Sequence, residues 1–404
     1  MGKNVKIIKS AQCYGCYACI NVCPKKCITM IEDKYGFAIP KVNNKECVKC
    51  GLCLQVCPAK NKYKLKKKFP IKIYAANVRD KDIRMKSTSG GMFYPIAEYV
   101  INNSGCVFGA AFNSKYDVIH ICAETISEVE RCMKSKYVQS NIGDCFSEAA
   151  KRSRTQMVLF TGTPCQIAAF KKYPGVRWKN VITMDVICHG VPSPRVWKKY
   201  LKEMQAKYGD IMHITMRSKE RYGQSQSETV IFFDSKEVYH EIADKDCYIK
   251  AFTNGYSLRE RCYCCRYKGT NYLSDITVSD FYSINKYIKD ADSFSGVSRV
   301  VTNTEKGEQI MELLKDKIEM KEVNTKEGLL DEPAWGFSCI YNVRRRLFYN
   351  NCFIKNYSIK RSLLRARKEA EEIHLLGEIE KEICSNIRKK AQEFYYKYIF
   401  QLRV

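Results

Sequence analysis

Eight cysteines near the start of the chain fall into two runs with the same spacing. The first run is Cys13, Cys16, Cys19 and Cys23, and the second is Cys47, Cys50, Cys53 and Cys57. Each run reads C-x2-C-x2-C-x3-C-P, the spacing of bacterial ferredoxins that hold two 4Fe-4S clusters. Three cysteines two residues apart let one tight backbone loop wrap three corners of a cubane, and the fourth lies too far along the chain to join them.

The spacing therefore predicts two 4Fe-4S clusters with crossed ligand sets, because the fourth cysteine of each run binds the cluster of the other run in such ferredoxins. One predicted set is Cys13, Cys16, Cys19 and Cys57, and the other is Cys47, Cys50, Cys53 and Cys23. Two zinc sites are the alternative, but zinc commonly takes two C-x2-C pairs and has no need of two complete four-cysteine runs. Cys27 fits neither set, and we predict that it binds nothing. The two clusters would transfer single electrons.

A second group of cysteines is associated with predicted strands. Cys165 and Cys188 each follow a strand, and neighbouring parallel strands would bring both thiols to one carboxyl edge of the sheet, where ligands bind in open α/β folds. Cys262 and Cys265 form a C-x2-C pair on an irregular loop, with Cys264 between them. Four converging thiols would form a site for a third 4Fe-4S cluster. Alternatively, each is a small buried apolar residue, and Cys264 leaves the choice of ligand open.

A flavin is expected in the same part of the chain, because clusters pass one electron at a time whereas most metabolites accept two. Ser87-Thr88-Ser89-Gly90-Gly91 and Thr161-Gly162-Thr163-Pro164 each precede a predicted helix, whose free N–H groups attract phosphate. The alternative role of these Ser and Thr residues is helix capping. No GxGxxG motif follows a strand, so a Rossmann-type nicotinamide site is not indicated.

His189, directly after Cys188, is the candidate catalytic residue. A histidine beside a reduced cofactor can donate a proton to it. The alternative is a hydrogen-bonded structural histidine, and the sequence taken alone favours that role.

Alternating strands and helices must position these residues. The predicted helices cover residues 92–101, 164–170, about 195–208 and 304–317, and the predicted strands cover 118–122, 156–160, 181–187 and 297–302, with a hairpin over 228–242. The strand–helix–strand order through 156–187 implies a parallel βαβ unit with a right-handed crossover.

The predicted fold class is α+β or α/β, in three parts. A small dicluster ferredoxin-like domain covers residues 1–65, and a lysine-rich linker ends at Pro70. A larger mixed α/β flavin-binding domain covers 71–335, divided into 71–150 and 151–335. A basic helical tail covers 336–404. In this tail, apolar residues from Ile373 to Tyr398 recur at three- or four-residue steps, which predicts an amphipathic helix. We expect it to pack on the protein itself; contact with a membrane surface or a partner subunit is the alternative.

Composition restricts the class of protein. The 404 residues are 45% hydrophobic and 28% charged, which is typical of globular proteins. The N-terminal residues lack a signal-peptide-like apolar run, and no stretch approaches the roughly 18 apolar residues of a membrane span. We therefore predict a cytoplasmic protein whose 22 cysteines bind metal or act in redox chemistry rather than form disulfides. The net charge of +26 favours acidic partners. Nucleic acid is not an expected partner, because the basic residues are spread along the chain and no known nucleic-acid-binding module is present.

Taken together, the motifs resemble a known family. They are the segments 86–91, 135–140, 160–167, 187–193, 262–265 and 274–281. From about residue 10 to residue 330 the chain resembles the coenzyme F420 hydrogenase/dehydrogenase beta-subunit family, in the form fused to an N-terminal dicluster ferredoxin. Family members bind FAD, carry a 4Fe-4S cluster in their own domain, and pass electrons between clusters and a two-electron acceptor. That acceptor is coenzyme F420 in the archetypes and a chlorophyll derivative in plant relatives.

The resemblance implies specific site residues. It implies a third cluster on Cys165, Cys188, Cys262 and Cys265. It implies FAD near Ser87, Ser89, Gly90, Gly91, Lys136, Tyr137, Gln139, Ser140, Thr161, Gly162, Thr163, Pro164 and Asp280. The chain departs from the family pattern at the extra Cys264 and in its basic C-terminal helix. The substrate does not carry over, because one fold and one flavin can host many acceptors.

We therefore predict an iron–sulfur flavoprotein oxidoreductase that moves electrons between 4Fe-4S clusters and FAD to a small-molecule two-electron acceptor. The acceptor would be coenzyme F420 or another organic substrate, and the electron donor would be ferredoxin or a partner redox subunit. Either direction of electron flow is compatible with the sequence. The first alternative is a non-catalytic electron-relay subunit of a larger redox complex. The second is a zinc-binding regulatory protein on nucleic acid.

Overall fold

The computed structural model describes residues 7–61, 71–330 and 332–372. The linker predicted before Pro70 and the amphipathic helix predicted over Ile373–Tyr398 lie outside the described residues. Residues 7–61 are called the N-terminal segment below, and residues 71–330 with 332–372 are called the body. Among the described helices, none has the length and apolar character that a membrane crossing requires.

The repeat in the sequence becomes a repeat of structure in the N-terminal segment. A short helix follows each cysteine loop, and each begins directly after a residue in the left-handed conformation, Tyr17 (φ 62°) or Gly51 (φ 76°). An antiparallel strand pair lies between the two helices along the chain. The elements are α1 (Ala18–Asn21), β1 (Ile28–Glu32), β2 (Ala38–Val42) and α2 (Leu52–Gln55).

An eight-stranded mixed sheet forms the centre of the body. Its strands are β3 (Lys72–Val78), β4 (Cys106–Phe112), β5 (Val118–Ala123), β6 (Val158–Gly162), β7 (Val181–Val186), β11 (Ile276–Asp280), β12 (Ser298–Thr302) and β13 (Ile318–Val323). Their order is β13-β3-β12-β11-β7-β6-β4-β5. The pairs β4–β6, β6–β7 and β7–β11 are parallel. The parallel pairing of β6 with β7 confirms the predicted βαβ unit.

A separate three-stranded antiparallel sheet has the order β10-β9-β8. Its strands are β8 (Ile211–Ser218), β9 (Glu228–Phe233) and β10 (Val238–Ile242), so the hairpin predicted over 228–242 is confirmed. Strand β8 was not predicted. Its pairing with β9 is irregular between Met216 and Ser218, and the intervening Arg217 adopts a φ of 67°. A bulge of this kind re-aims a side chain.

Helices pack on the large sheet, on the three-stranded sheet and on one another. They are α3 (Lys81–Lys86), α4 (Phe93–Asn102), α5 (Ile126–Cys132), α6 (Cys145–Arg152), α7 (Pro164–Phe170), α8 (Pro194–Tyr208), α9 (Cys247–Thr253), α10 (Glu305–Leu313), α11 (Thr325–Leu330), α12 (Pro333–Gly336), α13 (Arg345–Phe353) and α14 (Ile359–Glu372). The helix predicted over 304–317 ends early, at Leu313, because the chain must turn back into β13 at Ile318.

One apolar cluster joins the N-terminal segment to the body. Phe146, Phe160 and Phe170 are fully buried, and the rings of Phe160 and Phe170 stack with centroids 4.3 Å apart. Ala18 and Val56 of the N-terminal segment belong to the same cluster. The two parts therefore share a core. Burial of each large apolar side chain in it contributes about 1.5–3 kcal/mol to the free energy of folding.

Candidate functional site

The first cavity of the N-terminal segment, called the proximal site, is lined by four cysteines. They are Cys13, Cys16, Cys19 and Cys57, each at most 9% exposed. The structure thus brings together the first predicted ligand set, including the cysteine from the other run. The backbone N–H of Gly15 donates to the Cys13 sulfur over 3.3 Å. Burial and then the neighbouring Cys19 raise the pKa of Cys16, so the thiolate form is disfavoured in this site. Four adjacent thiolates would need a positively charged partner, and the iron of a cluster would supply that charge.

The second cavity, called the distal site, is lined by five cysteines. They are Cys23, Cys27, Cys47, Cys50 and Cys53. Four of them form the second predicted ligand set, and Cys50 is exposed to solvent. Burial and then the neighbouring Cys47 raise the pKa of Cys53. The fifth, Cys27, was predicted to bind nothing, and the structure places it on the wall of this cavity.

The third group of cysteines gathers at the carboxyl edge of the large sheet, as the strand order required. Cys165 stands in the first turn of α7 after β6, and Cys188 follows β7. Burial and then the neighbouring Cys265 raise the pKa of Cys165, with smaller effects of Cys188 and Cys262. Burial raises the pKa of Cys188 to about 11 and of Cys262 to about 12. Cys264 is exposed. The four predicted ligands are therefore close enough to interact electrostatically; they are called the third site below.

Two buried nitrogen atoms around the third site, His189 Nε2 and Arg261 Nε, have no hydrogen-bond partner in the described part of the chain. Buried donors normally find an acceptor, and the sulfurs of a cluster accept hydrogen bonds. These residues fit a bound cluster. Within the described residues, no group of three His, Cys, Asp or Glu side chains is arranged to hold a single metal ion.

His189 lies beside the third site, directly after Cys188 in the chain. Its ring packs edge-on against Phe252, with centroids 5.2 Å apart. Burial and then the Lys268 charge lower the pKa of His189. Lys268 itself donates to the backbone carbonyls of Cys188, over 2.5 Å, and Ala334, over 2.6 Å. A neutral His189 can still donate or accept one proton, so its catalytic role stays a prediction.

The third site and the proximal site are joined by direct contacts. The Tyr267 hydroxyl donates to the Pro58 carbonyl over 2.8 Å, and the backbone N–H of Arg266 donates to the Tyr14 hydroxyl over 3.2 Å. The Arg259 guanidinium, 2% exposed, donates to the Cys13 carbonyl over 3.2 Å. Both sides of this junction are thus fixed by residues next to predicted ligands.

Gln139, predicted as a flavin contact, lies instead at this junction. Its amide donates to the Tyr14 carbonyl over 2.9 Å, and its oxygen accepts from Arg259 Nε over 2.7 Å. Gly15 has a φ of +64°, and a Cβ there would lie 2.5 Å from a guanidinium nitrogen of Arg259. Only glycine therefore allows the cysteine loop to approach this closely.

Several other predicted flavin contacts meet around Arg217. This guanidinium forms a 3.0 Å ion pair with Asp280 and donates to the Tyr137 hydroxyl over 2.8 Å. The Gln224 amide donates to Asp280 over 2.6 Å and to the Ser89 hydroxyl over 3.0 Å. Burial alone would raise the pKa of Asp280, but the Arg217 charge and hydrogen bonds lower it. Sequence reasoning missed Arg217 and Gln224.

Two lysines are also relevant here: Lys136 directly precedes Tyr137 in the chain, and Lys219 lies close to Arg217 and Asp280. Burial lowers the pKa of Lys136 to about 8, and its ammonium donates to the Met133 carbonyl over 2.7 Å. Burial and then Arg84 lower the pKa of Lys219 to about 7. Lys219 nevertheless donates to three carbonyls, of Arg84, Ser89 and Ser295, at 2.5–2.8 Å. Three acceptors favour the ammonium form, so the Ser89 loop lies in a positive environment. Lys219 was also missed from the sequence.

The remaining predicted flavin contacts bond within the protein. Ser87 Oγ donates to the Ile83 carbonyl, and the N–H of Gly90 donates to Ser298 Oγ, over 2.8 and 2.9 Å. Thr163 forms a capping box with Gln166 at the start of α7, which is the capping role considered as the alternative. Two of the other residues form hydrogen bonds: Thr161 Oγ1 donates to the Phe108 carbonyl, and Ser140 Oγ accepts from the Gln166 amide. The last three are defined by their backbone positions. Pro164 is the first residue of α7, Gly162 is the last residue of β6, and Gly91 has a φ of +84°.

Comparison with known proteins identifies two parts of the chain. Residues 155–326 match the family described as the C terminus of the beta subunit of coenzyme F420 hydrogenase/dehydrogenase. Residues 12–61 match the 4Fe-4S dicluster domain. Among solved structures, a chain of the F420-reducing NiFe hydrogenase complex from Methanosarcina barkeri is similar, at 16% sequence identity with a TM-score of 0.44, over 77% of this chain and 94% of that chain. No curated protein matches the sequence.

Proposed function

Because the chain joins a 4Fe-4S dicluster domain to the C-terminal domain of the coenzyme F420 hydrogenase/dehydrogenase beta-subunit family, we propose that it is an oxidoreductase with three 4Fe-4S sites and FAD. A single observation carries this proposal: three groups of cysteines lie in series. Cys53 of the distal site and Cys19 of the proximal site belong to the same apolar cluster. Tyr14 of the proximal loop packs in a cluster with Cys165 and Cys265 of the third site.

Clusters bound at these sites would supply single-electron transfer. The chain contributes by fixing their order and by excluding water. The proximal cysteines are buried, whereas Cys50 of the distal site is exposed. We infer that the distal site exchanges electrons with the donor and that the third site is the one nearest to the acceptor.

FAD is proposed to bind near the polar centre around Arg217. Ser89, Tyr137 and Asp280 meet there, with the buried Lys219 close by and Lys136 next to Tyr137 in the chain. Positive charge and hydroxyl groups suit a diphosphate and a ribityl chain. When bound, a flavin would allow single electrons to be collected for a two-electron acceptor. Coenzyme F420 is one candidate acceptor, and another organic substrate is equally suited to this chemistry.

The surface around the distal site indicates the kind of donor. Lys25, Lys26, Lys45 and Lys49 are exposed there, and Val48 is 57% exposed. Basic side chains around an apolar centre suit an acidic redox protein, because complementary charge steers association. The proposed partner is therefore ferredoxin or an acidic redox subunit.

A non-catalytic relay subunit is the second candidate. The observation that favours it is that Ser87, Gly90 and Thr163, all predicted to hold a phosphate, already bond within the chain. A relay subunit would hold the clusters without a flavin.

Anaerobic purification with iron, sulfide and flavin measured per chain tests both candidates. The proposal expects about twelve irons and one FAD. About twelve irons without flavin would favour the relay subunit. Zinc in place of iron would refute both.

A further inference from the structure

The distal site contains one cysteine more than a cluster needs. Cys27 is 5% exposed and lines the same cavity as the four predicted ligands. Its sulfur lies 3.5 Å from the sulfur of Cys23. This separation suits a thiol hydrogen bond in either direction, and it places the Cys27 sulfur next to the position of the fourth ligand.

The backbone between the two cysteines is shaped to bring Cys27 back to the cavity. Lys26 has a φ of 49°, an unfavourable conformation for a residue with a side chain. Its N–H donates to the Cys23 carbonyl over 3.1 Å, which closes a turn. The Cys27 carbonyl accepts from the N–H of Asn43 over 2.8 Å, so the residue is also anchored to the end of β2.

The other half of the repeat shows that this arrangement is not a general property of the motif. Asn61 stands four residues after Cys57, as Cys27 stands four residues after Cys23. The Asn61 amide is committed to backbone carbonyls, those of Leu54 and Gln55 at 2.7 Å and that of Cys57 at 3.2 Å. The proximal site therefore has a structural amide where the distal site has a thiol.

We propose that Cys27 is a functional fifth cysteine of the distal site. This proposal rests on the proposed function, because it requires a cluster at that site. While Cys23 is a ligand, the Cys27 thiol donates a hydrogen bond to the Cys23 sulfur. In a chain that lacks the Cys23 thiol, the Cys27 sulfur would hold the cluster in its place, as a thiolate whose proton has passed to solvent. The oxidation state of the iron does not change.

Iron content tests the replacement in the full-length chain. Cys23→Ala is expected to keep the wild-type content of iron and sulfide. Cys23→Ala combined with Cys27→Ala is expected to lose the distal cluster, which is about four irons per chain. Cys57→Ala is the matched control, since Asn61 cannot replace a thiolate, and it is expected to lose the proximal cluster. Loss of iron from Cys23→Ala equal to that from Cys57→Ala would overturn the replacement while leaving the proposed function standing. Absence of clusters from the wild-type chain would instead refute the proposed function.

The hydrogen bond is tested by Cys27→Ala alone, which keeps all four ligands of both clusters. Redox titration followed by electron paramagnetic resonance is expected to show full iron content and a lower midpoint potential for one cluster only. The direction follows because a hydrogen bond to a ligand sulfur stabilises the more negative, reduced cluster. Unchanged potentials of both clusters would overturn this role.

Discussion

The phenol ring of Tyr14 packs against that of Tyr267, with centroids 5.4 Å apart and planes at 57°. Tyr14 follows Cys13 of the proximal site, and Tyr267 comes two residues after Cys265 of the third site. The Arg261 guanidinium also lies over the Tyr14 ring, 5.1 Å from its centroid. This contact fixes the position of the two cysteine groups relative to each other, and several consequences can be measured.

The junction depends most on the buried Arg259. Replacing it by alanine leaves the Cys13 and Ala38 carbonyls and the Gln139 amide oxygen without a donor. Arg259→Ala is expected to lower the free energy of unfolding by about 3 kcal/mol, because hydrogen bonds to charged groups contribute about 1.5–3 kcal/mol. Urea unfolding measures this change. Arg266→Ala, which removes one exposed donor to Ala59, should cost at most about 0.5 kcal/mol; equal losses would contradict the assignment.

The third site is tested through Cys165, its ligand in the first turn of α7. Cys165→Ser is expected to remove about a third of the iron, because a hydroxyl is a poor ligand for a site that needs thiolates. Cys264→Ser is the neighbouring control, since Cys264 is exposed, and it should keep all the iron. Iron and sulfide per chain are the readout. The reverse pattern, with loss only from Cys264→Ser, would show that the ligand pair had been chosen wrongly.

The ion pair between Arg217 and Asp280 predicts a pH dependence. The lowered pKa of Asp280 contributes stability that is present above the unfolded pKa of about 3.9 and lost as the pH falls through the folded pKa. In Arg217→Gln the buried carboxylate loses its ion-pair partner, which costs about 3 kcal/mol at pH 7. The difference in unfolding free energy between wild type and variant should therefore shrink from pH 7 to about pH 3. A difference that does not vary with pH would mean that the pair is not ionised.

The basic rim of the distal site predicts a salt-dependent reaction with an acidic ferredoxin. The double variant Lys25→Glu, Lys49→Glu is expected to lower the second-order rate constant of reduction about tenfold at low salt. The reason is that charges at the edge of an interface change the association rate of the two proteins. The rate is measured by stopped-flow absorbance over a range of ionic strength. Lys321→Glu, on the outermost strand β13 of the large sheet, should leave the rate unchanged. Equal effects of the two charge reversals would show that the partner does not dock at the distal site.

Local spacing was enough to predict the cysteine groups, because each loop involves only a few neighbouring residues. The four cysteines of the third site needed one further inference, the parallel pairing of β6 with β7, and that pairing is present. The family match bears out the resemblance read from the motifs. The ligand roles themselves stay predictions.

The polar centre could not be predicted in the same way. Arg217 meets Asp280 from 63 positions away, across two different sheets, and a bulge aims its side chain. Nothing in the residues around Arg217 or Gln224 signals that partner. Gln139 and Tyr137 show the opposite case, in which residues close in sequence lie at different sites. Tyr137 contacts Arg217 at the polar centre, whereas Gln139, two residues later, contacts Tyr14 of the N-terminal segment.

Strand β3 lies between β12 and β13 in the large sheet, although the chain reaches it first. Ala76 pairs with Ser298, about 220 residues later, which a ribosome needs roughly 10–45 s to add. During that interval all nine cysteines of the N-terminal segment have already been synthesised, while β3 still lacks both of its neighbours. Iron loading of the first two sites can therefore precede closure of the sheet in the cell, and the nascent chain must keep an unpaired apolar strand from aggregating until its partners arrive.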